Sequence, residues 1–84
     1  MDEDALIARY IEENPRQPGQ AGARLKDYGT EVWALIGYLR DAVGGDVETA
    51  AADYEIPVEA LEAARAYHRR HPEPINGRIA WNAA

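Results

Sequence analysis

Apolar residues along this chain recur mostly at three- and four-residue spacing, the period of helices that bury one face. Behind the acids Asp2, Glu3 and Asp4 come Ala5, Leu6, Ile7, Tyr10 and Ile11. Acids at a helix start complement its dipole, and the spacing predicts a helix over 4–13. The stretch NPRQPGQAG (14–22) holds two prolines and two glycines and reads as a loop. Residues 23–27 follow as a short strand, closed by a Tyr28-Gly29 turn. Their charged alternation suits an edge that pairs with another edge, which in a homodimer is the edge of its own copy. Thr30 is placed to cap the next helix, with Glu31 in its first turn. Val32, Leu35, Ile36, Leu39 and Val43 then form one apolar stripe, and Trp33, Gly37 and Arg40 a second line. A helix apolar on two sides is normally buried on two sides. Leu25, Trp33 and Gly37 are therefore candidate dimer-interface residues, and the competing use of Trp33 is to cover the 4–13 helix.

The stretch DVETAAADYEIPVEALEAARAYHRRH (46–71) is the centre of the pattern. Gly44-Gly45 ends one helix and Asp46 caps the next. Val47, Ala50 and Ala51 fall at helical spacing. Pro57 disfavours helical geometry before it and fits a first turn, so a second helix is expected from about residue 57. Its inner face is Ala60, Leu61, Ala64 and Tyr67, with His68 or His71 at the edge. Two helices joined by a short turn make a helix-turn-helix. Pro72-Glu73-Pro74 is expected to stop that helix. In the tail (72–84), Ile75 and Ile79 lie one turn apart, with Arg78 and Trp81 near the same line. Gly77 weakens an isolated helix by about 1 kcal/mol, so the tail needs a surface to fold on, either its own dimer or a partner.

Composition narrows the function. With 84 residues, one domain spanning 1–84 is expected. Leu, Ile, Val and Phe number 15 of 84, less than the roughly one-fifth usual in globular domains. So small a core favours association with a second chain. Net charge is −6, unlike a chain that binds nucleic acid by charge alone. Residues 1–64 carry 14 acids against 5 bases, whereas residues 65–84 carry four arginines against Glu73. There is no cysteine, so disulfides, thiolate catalysis and zinc-thiolate sites are excluded. The acidic start is unlike a signal peptide and no apolar run approaches membrane-spanning length. A cytoplasmic protein without membrane contact is expected.

Catalytic chemistry finds little to use. Serine is absent as well as cysteine. His68 and His71 with Glu73 are a weak metal pattern without a convincing third ligand, and Gly44-Gly45 lacks the further glycines of a phosphate loop. Neither an enzyme nor a cofactor is expected. As a DNA reader, the second helix would carry Glu55, Glu59 and Glu62 at its entering end, repulsive to phosphate, with Arg65 and Arg69 as the available contacts. The basic tail suits a protein partner better. Arg69, Arg70 and Arg78 can meet carboxylates bidentately, with Ile75, Ile79 and Trp81 as apolar anchors. The plainer alternative is a solvated helix end, where arginine is favourable in any protein.

The order of these motifs resembles the domain-of-unknown-function family numbered four-three-three, whose members look like VapB-type antitoxins. The resemblance covers 25–71. Gly29, Thr30 and Val32 match a Gly-Thr and branched-apolar start. Tyr54, Ile56, Leu61, Ala63, Ala64, Ala66 and Tyr67 match a helix-turn-helix with Tyr in its turn and an Ala-Ala-x-Ala-Tyr helix. The chain departs from the pattern at Glu31, where the family has an arginine that bears on DNA binding. The resemblance implies a small dimeric helix-turn-helix protein. Such a protein blocks a PIN-like ribonuclease toxin and represses the shared operon through operator DNA. Two alternatives stay open: a DNA-binding regulator without a toxin partner, and a purely structural dimeric interaction module. The expected fold is mainly all-α, with four to five helices and one short β segment.

Overall fold

Helix α4 (Val58–Arg70) is the element around which the others are laid. The computed structural model describes residues 2–83. In chain order they form α1 (Glu3–Tyr10), β1 (Ile11–Glu12), a 3-10 turn (Gln20–Gly22), β2 (Arg24–Leu25), α2 (Val32–Asp41), α3 (Val47–Tyr54), α4 and α5 (Pro72–Ala83). The mainly α architecture with one short strand pair is the one the periodicity predicts. α1, α2, α3, α5 and β1 all pack on α4. Its sequence explains why. Ala60, Ala63, Ala64 and Ala66 are buried together with Leu61, and methyl side chains on several faces let neighbouring helices approach closely. No helix among the described residues is long and apolar enough to cross a membrane.

The helix-turn-helix is formed by α3 and α4. The Asp46 carboxylate accepts the Thr49 amide at 3.1 Å. Glu55 takes a left-handed backbone conformation and returns its amide to the carbonyls of Ala51 and Ala52. Ile56 is buried at the corner, and Pro57 is the N-cap residue of α4, one position before its first helical residue. The capping bonds from Thr49 hold the Asp46 carboxyl below its usual range. A depressed carboxyl stabilises the fold above its unfolded pKa, and that contribution is lost as pH falls through the folded value. Acid titration followed by circular dichroism should therefore lose helix below about pH 4. Asp46→Asn, which keeps a capping oxygen without a titrating proton, should flatten this part of the curve; an unchanged curve would remove Asp46 from the account.

Three local expectations are corrected. Thr30 does not cap α2. Glu31 is the N-cap residue, without a side-chain cap bond; its carboxylate instead accepts the Trp33 indole N–H at 2.6 Å. The Thr30 carbonyl is taken by the Leu25 amide. The first helix ends at Tyr10 rather than residue 13, because Ile11 and Glu12 turn extended and pair antiparallel with Leu25 and Arg24. This buries Ile11 opposite Leu25 and joins Arg24 to Glu12 at 2.8 Å. The edge expected to meet a second copy is thus paired within the chain. The stop expected at Pro72-Glu73-Pro74 is found, since α4 ends at Arg70. The chain bends at His71 and restarts at once, with Pro72 and Pro74 in the first turn of α5, where missing amide hydrogens cost nothing.

Candidate functional site

The basic residues gather where the last turns of α4 meet α1, α2 and α5. Arg69 reaches Glu3 at 3.1 Å and Arg70 reaches Glu3 at 2.9 Å, and Arg70 also contacts Asp4. The acidic first turn of α1 therefore lies against the basic last turn of α4, an arrangement favourable to both helix dipoles. The Arg69 and Arg70 hydrogen bonds hold the Glu3 carboxyl below its ordinary range. Asp4, with Glu3, raises the Arg70 guanidinium. Arg69 and Arg70, expected to face a partner, are thus paired within the chain, although these contacts stay exposed to water.

The tail is divided by its fold. Ile75 is fully buried and Ile79 nearly so, as α5 docks on α2. The expectation that they anchor a partner is corrected: burying each contributes about 1.5–3 kcal/mol, more than the cost of Gly77. Gly37 lies under Ile79, where a β-carbon at residue 37 would sit 3.8 Å from the isoleucine. Trp33 is half-buried under α5 rather than over α1, with the Arg78 guanidinium 5.4 Å from its ring centroid. Leu25 has no exposed surface. Of the three residues assigned to a dimer interface, Leu25 is thus spent completely inside one chain, while Gly37 and Trp33 are partly covered by α5.

Arg78 also lies 5.8 Å from the Trp81 ring centroid, so its cation is flanked by two indoles. Its Nε is buried and finds no hydrogen-bond partner among the described residues. Trp81 itself is 74% exposed. The two histidines are not brought onto one ligand: His68 Nε2 meets Asn76 Oδ1 at 2.7 Å, and the His71 ring packs on Tyr67.

A groove opens beside this end, between the C-terminal turns of α2 and α4. Ile36 and Leu39 form its floor, Gly44 and Gly45 its open end, and Arg40, Arg65, His68 and Arg69 its rim, around about 460 Å³. Gly44 and Gly45 both have positive φ, and the Gly45 amide closes α2 by returning to the Leu39 carbonyl. That left-handed turn favours glycine and keeps side chains out of the groove mouth. Arg65 and Arg69, read from sequence as DNA contacts, both belong to this rim. Arg40 was missed as a site residue; the available signal was its place one turn beyond Gly37 on the second line of α2. Comparison with known proteins gives no significant match to a family model, a curated protein or a solved structure.

Proposed function

We propose that this chain is a non-catalytic, antitoxin-like protein that binds and neutralises a PIN-like ribonuclease, in keeping with the motif order at 25–71. The observation that carries the reading is Trp81. It is a large aromatic left 74% exposed on a helix that is itself firmly docked, with a guanidinium stacked against it. Exposed Trp and Arg on an ordered element are the residue types that dominate protein interfaces. A PIN-like site holds a divalent metal on clustered carboxylates, and an inserted guanidinium competes with the metal for them.

The packing of α4 favours a protein partner over operator DNA. A recognition helix needs a free flank to enter a major groove, and α4 is flanked by α1, α2, α3 and α5. Its first turns carry Glu59 and Glu62, and the Glu59 carboxylate already accepts the Tyr10 hydroxyl of α1.

The test is inhibition of any PIN-like ribonuclease found encoded beside this chain, assayed on RNA with purified components. Wild type should suppress cleavage stoichiometrically. Arg78→Glu combined with Trp81→Ala should weaken inhibition by about 30-fold or more. Equal inhibition by this double variant, with its melting temperature retained, would remove α5 as the inhibitory element. Arg70→Glu is a poorer probe because it sets a third carboxylate beside Glu3 and Asp4 and loosens α1.

A further inference from the structure

We infer that the groove between α2 and α4 is a docking seat for an acidic helical segment of a partner protein, one carrying an aliphatic anchor between two carboxylates. The lining residues are Ile36, Leu39, Arg40, Gly44, Gly45, Arg65, His68 and Arg69. None is acidic, on a chain with 15 carboxylate side chains and a net charge of −6. The rim thus runs against the composition of the molecule and complements a negatively charged ligand.

The arginines are available at little cost. Arg40 holds Asp41, Arg65 holds Glu62 and Arg69 holds Glu3, in each case with the carboxylate outside the groove lining and the pair open to water, the Arg65–Glu62 pair only partly so. Such pairs are worth about 0–1 kcal/mol, so exchanging one for an incoming carboxylate is nearly neutral. A less hydrated site and a bidentate fork then favour the incomer. Arg65 and Arg69 are one turn apart on α4, which matches carboxylates at i and i+4 of a docked helix. Arg40 faces them from α2. Ile36 and Leu39 supply an apolar floor for a side chain lying between those carboxylates, and the bare glycines let the ligand backbone approach.

Nucleic acid is a poorer occupant. Its phosphates would meet the acidic body of the chain, and its bases have no exposed aromatic in the groove to stack on.

The inference is independent of the ribonuclease reading. Isotope-labelled full-length chain is titrated with a synthetic helical peptide bearing two glutamates one turn apart and a leucine between them. Saturable shifts should centre on the amides of Gly44, Gly45 and His68. Peptides with both glutamates changed to Gln, or with the leucine changed to Ser, should bind about tenfold or more weakly. The surface variants Arg40→Glu and Arg65→Glu should lose about tenfold each, with unchanged spectra elsewhere. Shifts scattered over other faces, equal binding by the control peptides, or tighter binding of a short RNA or of anionic vesicles would overturn the assignment. The titration contains no nuclease, so its failure and the failure of the inhibitor reading are read separately.

Discussion

Leu61→Ala is expected to cost about 2–5 kcal/mol, enough to leave a large part of the population unfolded in mild denaturant. Leu61 has no exposed surface and is among the largest fully buried side chains. It also lies on the helix that joins the others. Its neighbours on α4, Ala60, Ala63, Ala64 and Ala66, carry only methyl groups and cannot reach into the space left behind. A site that cannot collapse keeps its cavity, and the cost rises with the cavity. Stability of a domain this size is about 5 kcal/mol or somewhat more, so one leucine is a large fraction of the whole. A thermal melt should show the midpoint falling by about 8 °C or more, since about 1 kcal/mol moves it roughly 4–8 °C. A fall of only a few degrees would mean that α4 is not the hub described above.

Gly22→Ala is the second large effect, and it arises in the loop rather than the core. A β-carbon at residue 22 would lie 2.0 Å from the Gln17 carbonyl oxygen and 2.7 Å from the Gln17 β-carbon. The nearer obstacle is backbone, so no rotamer change relieves it. The 3-10 turn and the Asn14–Gln17 bridge that shapes this loop must shift together. The cost is on the order of 1–3 kcal/mol, as for other overpacked sites. It should transmit to the β pair, because Ala23 follows directly and its carbonyl accepts the Val32 amide at the start of α2. Gly77→Ala provides the opposite sign. A β-carbon there meets nothing within 4 Å and the residue is inside α5, so the change should stabilise by about 1 kcal/mol. Urea unfolding of both variants tests the pair. A gain at residue 22 would remove the close approach to Gln17 from the account, and a loss at residue 77 would show that α5 needs its glycine.

The readings that held from sequence rest on local chemistry. Asp46 caps α3 because a carboxylate can reach an amide three residues on, and Pro57 sets the start of α4 because its ring constrains the residue before it. The stripe Val32, Leu35, Ile36 and Leu39 is buried as its period requires. These facts need no partner from elsewhere in the chain. The same is true of the charge division, which placed the basic end correctly at α4 and α5.

What failed was the choice of partner for each apolar face. The amphipathic period says that a face is to be covered and is silent about what covers it. Ile75 and Ile79 were free to meet another protein until α2 offered Gly37 and the Trp33 ring. Leu25 was free to meet a second copy until Ile11 left its helix to pair with it. The basic groove belongs to the same class, since Arg40 and Arg65 come from helices separated by the whole of α3. The chain alone therefore determined where α3 and α4 start, how the helices are patterned and which end is basic. Only the tertiary structure decided which faces remain open, because burial is settled by competition among distant segments for the same surface.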